Sequence, residues 1–324
     1  MNIKLSELSR LVNGNIIGDD VFIQNIAAPQ NCLRSSIVLV KNKKNLKNYH
    51  PNKAGAILTS AELSEFFINE NLLVTKNPDV AFSKITNIFN TSKLMEASIE
   101  SVILGDNVNL GKNVKFGFNV VIESNVSIGD NTQIGHNVVV HSNTTIGNDV
   151  IIDSGTIIGS EGFGNTLDED FNWQHIKHLG GVVIKDKVMI GSNCTIDRGT
   201  LSDTIIENGV VMDNQIHLAH NVLIGENSAI AAKVGIAGSC NIGKRNMIGG
   251  MVGIVDHINT TDDVIISATS TVNKDIIEPG VYTGIMPISK HVTWKRIALW
   301  ITKLDKIAKF LKIKKIWTDV ANEY

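Results

Sequence analysis

The chain has 324 residues, long for one compact domain, and so predicts at least two modules. Hydrophobic residues make up 43% of it and charged residues 19%, which excludes a disordered chain, and the formal net charge of -2 excludes a generally basic nucleic-acid-binding protein. Three cysteines are too few for a disulfide scaffold and fit a reducing compartment. With neither a membrane-length apolar segment nor a secretory signal, we expect a cytoplasmic protein without a transmembrane segment.

Residues 1–98 predict a small α/β module. The stretches SELSRLV and SAELSEFFINEN have the spacing of short helices, whereas VFIQNIAAP, SIVLVK, AGAILTS and NLLVTK are typical of strands. A further helix is predicted over AFSKITNIFNTSK, near the end of this module.

A six-residue period begins at Leu104 and continues through Ile158. At each step an apolar residue follows a Val or Thr by two positions and precedes an Asn, Asp or Gly by three. Alternation in a strand places the first two side chains on one face, and Asn, Asp and Gly tolerate the left-handed backbone of a sharp corner. Because so small a unit cannot bury its own apolar face, we expect successive coils to stack on one another.

The period is interrupted at 160–181, where a polar and aromatic segment predicts a loop excursion, and it slips by four residues around RGTLSDT. It fades after Ile266, so we assign the coiled domain to 99–288. Residues 289–324 have helical spacing and carry many more basic than acidic residues.

These hexads resemble those of the hexapeptide-repeat acyltransferases. The resemblance implies a mainly β protein, a left-handed parallel β-helix of seven or eight triangular coils, flanked by the small N-terminal α/β domain and the C-terminal helical segment. It also implies a homotrimer with active sites between neighbours. Within that superfamily, TIDRGTLSDTIIENGVVMDNQIHLAHNVLIGENSAIAA, together with EGFG…NW and EPGVYTGIMP, is similar to the UDP-3-O-acylglucosamine N-acyltransferases of lipid A biosynthesis.

The reaction that this resemblance implies is N-acylation of a UDP-acylglucosamine. A 3-hydroxyacyl group leaves the phosphopantetheine thiol of acyl carrier protein and is received by the 2-amino group of the sugar. The donor is carried by its protein, so we expect neither a separate cofactor nor a metal. An amine attacks only when unprotonated, and imidazole, with a usual pKa of about 6.5, is suited to be the base.

Spacing places His220 at a corner, directly before Asn221, and steps of eighteen residues lead from it to Gly238 and Asp256 on the same edge. We assign His220 as general base, Asp213 as the group that orients it, and the Gly238 amide as oxyanion donor. Three further residues are predicted to contact substrate: His257, Asn214 and Gln215.

The N-terminal module is expected to hold the uridine. In the family, a phenylalanine and a tyrosine sandwich the uracil, but here Leu39 and Asn45 stand in their places. Asn42 and Lys44 remain as predicted substrate contacts, and Tyr49 is a candidate replacement for the lost aromatic surface.

A metal site is the weaker interpretation of the H-x-x-H pair His217 and His220. Spacing of three along a strand puts the two side chains on different faces, so we expect that one coil cannot chelate with both. The family usually has Gln at the position of His217.

The basic C-terminal segment predicts a docking surface for the acidic acyl carrier protein, made in part by Lys295, Arg296, Lys303 and Lys306. A helix that only clamps the trimer is the alternative. Two other functions stay open: an acetyl-CoA-dependent sugar-nucleotide N-acetyltransferase, and a non-catalytic trimeric paralogue that has lost nucleotide affinity.

Overall fold

The computed structural model describes residues 2–51, 53–90, 94–284 and 288–311. The chain divides into two compact units, Met1–Lys93 and Leu94–Tyr324, each with its own hydrophobic core. Part of EPGVYTGIMP, residues 285–287, and the predicted helical segment from residue 312 onward lie outside the described residues. Among the residues described, no helix combines the length and the hydropathy needed to cross a membrane.

The first unit is an α/β fold, as the sequence predicts. Its five-stranded sheet is parallel except for one antiparallel edge strand, and the strand order is Asn15–Ile17, Leu72–Val74, Ala56–Thr59, Ser36–Leu39 and Asn25–Ala27. A small antiparallel pair joins Ile3–Lys4 to Phe22–Ile23. The helices are Leu5–Val12, Lys43–Lys47, Ala61–Ser64 and Pro78–Phe89. SAELSEFFINEN, predicted as a helix, is helical only over four residues.

The second unit contains three parallel sheets built from the predicted coils, which confirms the β-helix. Sheet 1 consists of Ile103–Leu104, Val121–Ile122, Val139–Val140, Ile157–Ser160, Thr195–Asp197, His217–Leu218, Gly235–Ile236, Gly253–Ile254 and Thr271–Val272. Sheet 2 consists of Lys115–Phe116, Gln133–Ile134, Ile151–Ile152, Met189–Ile190, Val211–Met212, Ala229–Ile230, Met247–Ile248, Val264–Ile266 and Gly280–Tyr282. Sheet 3 consists of Asn109–Leu110, Ser127–Ile128, Thr144–Ile146, Val182–Ile184, Thr204–Ile206, Leu223–Ile224 and Asn241–Ile242.

Side chains of the six-residue period fill the interior of the coils. Ile122, Ile134, Ile158 and Leu218 are fully buried, and so is Thr132, which occupies a Val position of the pattern. Burial of one such aliphatic side chain contributes about 1.5–3 kcal/mol, and stacking repeats it at every coil. Sheets 1 and 2 have nine strands each, more than the predicted seven or eight coils, because non-periodic strands such as Gly280–Tyr282 complete the stack.

The corners are left-handed where the pattern predicts them. Asn107 has a φ of 55° and Asn143 one of 62°, and the same conformation recurs at nearly every sixth residue. Side-chain amides of successive coils also bond to one another, as Asn107 does to Asn125 at 3.2 Å. Corner conformation and ladder bonding together explain why asparagine is so frequent in this chain.

The interruption at 160–181 forms an antiparallel hairpin of Asn165–Leu167 and Trp173–His175. The four-residue slip lengthens one coil from eighteen to twenty-two residues. Thr195 therefore pairs with His217, twenty-two residues later. At the end of the described chain, the predicted helical segment contains helices His291–Ile301 and Leu304–Phe310.

Candidate active site

A depression of about 720 Å³ runs along the outer face of sheet 1 and is called the groove below. Its floor contains small residues, Gly235, Gly253 and Ala237, which leave room for a ligand. His220 and His257 line it at the corner between sheets 1 and 3, and Phe163 reaches it from the hairpin excursion. The groove therefore brings the predicted base and one predicted substrate contact to a single surface.

His220 is held in one tautomer by Asn221. The Asn221 side-chain nitrogen donates to the Ser202 carbonyl at 3.0 Å, and its oxygen accepts from the Thr200 backbone N–H at 3.0 Å, so its orientation is fixed. That same oxygen lies 3.0 Å from His220 Nδ1 and can only accept, which places the proton on Nδ1. The Nε2 atom of neutral His220 therefore carries a lone pair, as a general base requires.

Gly238 lies one coil above His220, as the eighteen-residue spacing predicts. A Cβ atom at Gly238 would lie 2.6 Å from both Cε1 and Nε2 of His220, so the imidazole occupies the space that any side chain here would fill. At other corners the equivalent N–H donates to a side chain of the next coil, as Lys112 does to Asp130 at 2.7 Å. The Gly238 N–H has no such acceptor among the described residues, so it is available to an oxyanion.

Asp256 and His257 complete this edge one coil further up. The His257 backbone N–H donates to the Gly238 carbonyl at 3.0 Å. His257 itself has a left-handed backbone, with a φ of 60°. Its side chain is exposed and lines the groove, so contact with substrate, the role predicted for it, is sterically open.

The hairpin excursion packs against His220, which the sequence does not reveal. The position of a Gly162 Cβ lies 3.1 Å from His220 Cβ, so the imidazole is enclosed by glycines on two sides. His178, only 3% exposed, has its ring centroid 5.1 Å from that of His220. Neither ring nitrogen of His178 is hydrogen-bonded within the described structure. Burial, together with positive charge on His220 when that ring is protonated, lowers the pKa of His178 and so favours its neutral form.

Asp197, in the IDRGTL motif, is a buried carboxylate beneath the same corner. It is 7% exposed and accepts a hydrogen bond of 2.8 Å from Ser160 Oγ. Burial raises its pKa, whereas the Ser160 hydrogen bond, and positive charge on the nearby imidazoles when they are protonated, act in the opposite direction. In the sequence, Asp197 is marked only as a polar residue directly after the inward-facing Ile196. Many other corner residues share that feature, so the sequence does not identify Asp197 as part of the site.

Asp213, Asn214 and Gln215 lie at a different corner, between sheets 2 and 1. Asp213 lines a second depression, of about 640 Å³, on the face of sheet 2, and its carboxylate accepts from the Asn214 backbone N–H at 2.8 Å. Asn214 in turn accepts from the Ser192 N–H, and Gln215 is a left-handed corner residue. A single chain thus does not bring these three predicted residues to His220.

His217 and His220 line the same groove, so the expectation that their side chains point to different faces is wrong. His217 projects outward from its strand, and the corner turns His220 toward the same surface. The Nδ1 atom of His217 lies 2.8 Å from Thr195 Oγ1, and its Nε2 atom lies 3.7 Å from Asp197 Oδ2. Within the described ranges, no group of three or more His, Cys, Asp or Glu side chains is arranged to hold a metal ion.

In the N-terminal unit, Tyr49 is not a surface for uracil. It is 6% exposed, its hydroxyl donates to Glu70 at 3.1 Å, and its ring packs edge-on against Phe67. Asn42 caps the helix Lys43–Lys47 by accepting from the Asn45 N–H. The exposed side chain of Lys44 makes no hydrogen bond or ion pair in the part of the chain described.

The four predicted docking residues are exposed on or beside the C-terminal helices: Lys295, Arg296, Lys303 and Lys306. None of them makes an ion pair within residues 288–311 or with the other described residues, whereas nearby Lys309 is paired with Asp305. Their charges are therefore not neutralised within the described chain.

Comparisons with known proteins agree with this architecture. A family model for the bacterial transferase hexapeptide (six repeats) matches residues 125–160. The UDP-3-O-acylglucosamine N-acyltransferase of Coxiella burnetii is 35% identical over 95% of this chain and 96% of its own length. The enzyme of the same name from Hahella chejuensis is 45% identical over 48% of this chain, a match that spans 44% of that relative.

Solved structures give the same fold. The UDP-N-acetylglucosamine acyltransferase from Campylobacter jejuni aligns with a TM-score of 0.51 at 24% identity, over 57% of this chain and 70% of that one. At this identity the likeness concerns the fold alone.

Proposed function

The chain belongs to the UDP-3-O-acylglucosamine N-acyltransferase family, and we propose that it transfers a 3-hydroxyacyl group from acyl carrier protein to the 2-amino group of UDP-3-O-(3-hydroxyacyl)-glucosamine, in lipid A biosynthesis. The observation that carries the proposal is the pairing, at one corner of the groove, of an imidazole with a free Nε2 and an unbonded backbone N–H, that of Gly238.

The proposed reaction uses these two groups in sequence. The amine nitrogen attacks the thioester carbon while His220 Nε2 accepts a proton from it. The Gly238 N–H donates to the oxyanion of the tetrahedral intermediate, a contact that strengthens as charge develops. As the C–S bond breaks, the imidazolium returns its proton to the departing phosphopantetheine sulfur, which leaves as the thiol, and the amide forms.

The test of this function is a comparison of acyl donors. We expect turnover with 3-hydroxyacyl carrier protein and little with acetyl-CoA, when UDP-3-O-(3-hydroxyacyl)-glucosamine is the acceptor. A preference for acetyl-CoA would favour the sugar-nucleotide N-acetyltransferase instead. Absence of turnover with either donor would favour the non-catalytic paralogue.

Assembly as a homotrimer explains how Asp213 acts. The depression on sheet 2 is apolar and leaves Met189, Val211 and Met247 between 42% and 54% exposed, which is typical of a surface covered by a partner. In the proposed trimer, sheet 2 of one protomer faces the groove of the next. The neighbour's Asp213, with Asn214 and Gln215, then completes the groove around His220, and Asp213 orients or polarises the base across the cleft.

Sedimentation checks this assembly. We expect a single species with three times the mass of the chain, because the apolar face of sheet 2 and the incomplete groove both require a neighbour. A stable monomer with full turnover would contradict the shared site.

Asn42 and Lys44 are proposed to contact the nucleotide.

The charged C-terminal helices are proposed to dock the carrier protein. Reversing Lys295, Arg296, Lys303 and Lys306 to Glu should raise KM for the carrier roughly tenfold at low salt, because surface charge chiefly sets encounter rate. The turnover number at saturating carrier should stay the same, and the salt dependence should flatten.

Steady-state kinetics at two salt concentrations measure this effect. Reversal of one exposed charge away from these helices, Lys112→Glu, is the control. If the reversed variant keeps its carrier KM and remains assembled, the docking role is wrong. If it instead loses assembly, the helices serve only to clamp the trimer.

A further inference from the structure

We propose that Asp197 is a positioning residue that acts as the counter-ion of the base, stabilising the imidazolium that forms on His220 within its own protomer. The inference rests on the proposed function of the groove, since it assigns a role to a carboxylate beside the proposed base. It differs from the role of Asp213, which lies at another corner of the same chain.

The fold places Asp197 one coil below the residue next to the base. Thr195 and Ile196 pair in register with His217 and Leu218, so Asp197 lies one coil below Ala219, the residue that precedes His220. The strand pairing is irregular at this point, because Ser160 rather than Gly159 is aligned with Asp197. That irregularity brings the Ser160 hydroxyl to the carboxylate, at 2.8 Å.

Within the described structure, the carboxylate accepts one hydrogen bond, from an uncharged donor. His217 approaches it from the neighbouring strand at 3.7 Å, and His220 and His178 act on it from the corner and from the excursion. A buried carboxylate is stable only when it is paired or hydrogen-bonded, and a single neutral donor does not compensate a full charge. The positive charge that completes the compensation arises on an imidazole when the base accepts its proton.

Two other charged groups near Asp197 have partners of their own. Arg198, next to Asp197 in sequence, donates to the Gly159 carbonyl at 2.7 Å and the Ser142 carbonyl at 3.0 Å. Glu161, in the excursion, is bonded to His175 and to Lys177. Asp256 also lines the groove, but it lies two coils above His220, whereas Asp197 lies one coil below Ala219. Asp197 is therefore the carboxylate that we assign to the charge on His220.

The experiment compares wild type with Asp197→Asn, which keeps an oxygen to accept the Ser160 hydroxyl. An opposite charge near a histidine favours the imidazolium, so its removal should move the acid limb of the pH–rate profile down by about one pH unit. Plateau kcat/KM should fall roughly tenfold, because a less basic imidazole is a weaker proton acceptor. Asp130→Asn, which removes a hydrogen-bonded corner carboxylate outside the groove, should leave the profile unchanged.

Ser160→Ala is the second variant, in case Asp197→Asn fails to fold. Loss of the hydroxyl leaves the carboxylate less compensated, so the acid limb should move to higher pH, opposite to the first variant. A profile unmoved in Ser160→Ala and in folded Asp197→Asn would overturn the inference, even if turnover falls.

NMR titration of the His220 ring protons separates this inference from the proposed function. If the wild type transfers no acyl group, the proposed function fails, but the titration midpoint should still fall in Asp197→Asn. If the wild type is active and the midpoint is the same in both proteins, only the counter-ion role is wrong.

Discussion

Replacement of His220 by Ala is expected to lower turnover by roughly 100- to 10,000-fold, the usual contribution of a general base. The amine must lose a proton as it attacks, and the neutral tautomer fixed by Asn221 leaves Nε2 free to take it. The fold should persist, because His220 lies at a half-exposed corner outside the aliphatic interior. Steady-state rates measure the loss, and thermal unfolding tests whether the fold is intact.

His136→Ala is the matched control for this variant. His136 also lies at a corner of the coil, two residues after the inward-facing Ile134, but at a different edge from the groove, and its Nδ1 accepts from the Phe118 N–H. It should keep wild-type turnover. If His220→Ala retained more than about a tenth of the wild-type rate, the assignment of the base would be wrong.

Gly238→Ala is expected to reduce turnover about 100-fold without disturbing the coil. The new Cβ would lie 2.6 Å from His220 Cε1 and Nε2, so the imidazole would have to leave its present position. Displacement of a reacting group by about 1 Å can cost a factor of this size. Gly238 does not have a positive φ, a conformation in which an alanine would be strained. A loss of turnover would therefore result from the contact with His220 and not from backbone strain.

Gly250→Ala is the control for Gly238→Ala. Gly250 occupies the same position in its coil, two residues after an inward aliphatic, and the equivalent residues one coil away on either side are Ala232 and Ala268. Its Cβ would meet nothing closer than the Ala232 carbonyl oxygen at 3.3 Å. If Gly238→Ala were as active as this control, His220 would not need its observed position, and the geometry of the proposed site would be wrong.

Prediction from sequence succeeds where one short rule repeats. Each coil requires an inward aliphatic such as Ile122 and a left-handed corner such as Asn125, so the period determines the strands, their parallel register and the corners. The same arithmetic stacks Gly238 on His220, because both lie in regular coils with no insertion between them.

Prediction fails where the chain leaves the period. His178 reaches His220 through the excursion, whose path over the coils has no periodic signal. Asp197 precedes the four-residue slip, so counting in steps of eighteen does not align it with the groove. Tyr49 is a further case. Its side-chain type made it a candidate to replace the lost aromatic surface, but its ring is buried and packs against Phe67.

The central claim, a base-assisted N-acyl transfer at the His220 corner, is tested most directly by identifying the product. Wild-type protein and His220→Ala are each incubated with 3-hydroxyacyl carrier protein and UDP-3-O-(3-hydroxyacyl)-glucosamine carrying ¹⁵N at the 2-amino group. The account predicts an amide N–H signal from the labelled nitrogen with the wild type and a rate at least about 100-fold lower with His220→Ala. An unacylated nitrogen after long incubation with the wild type, or equal rates with both proteins, would contradict it.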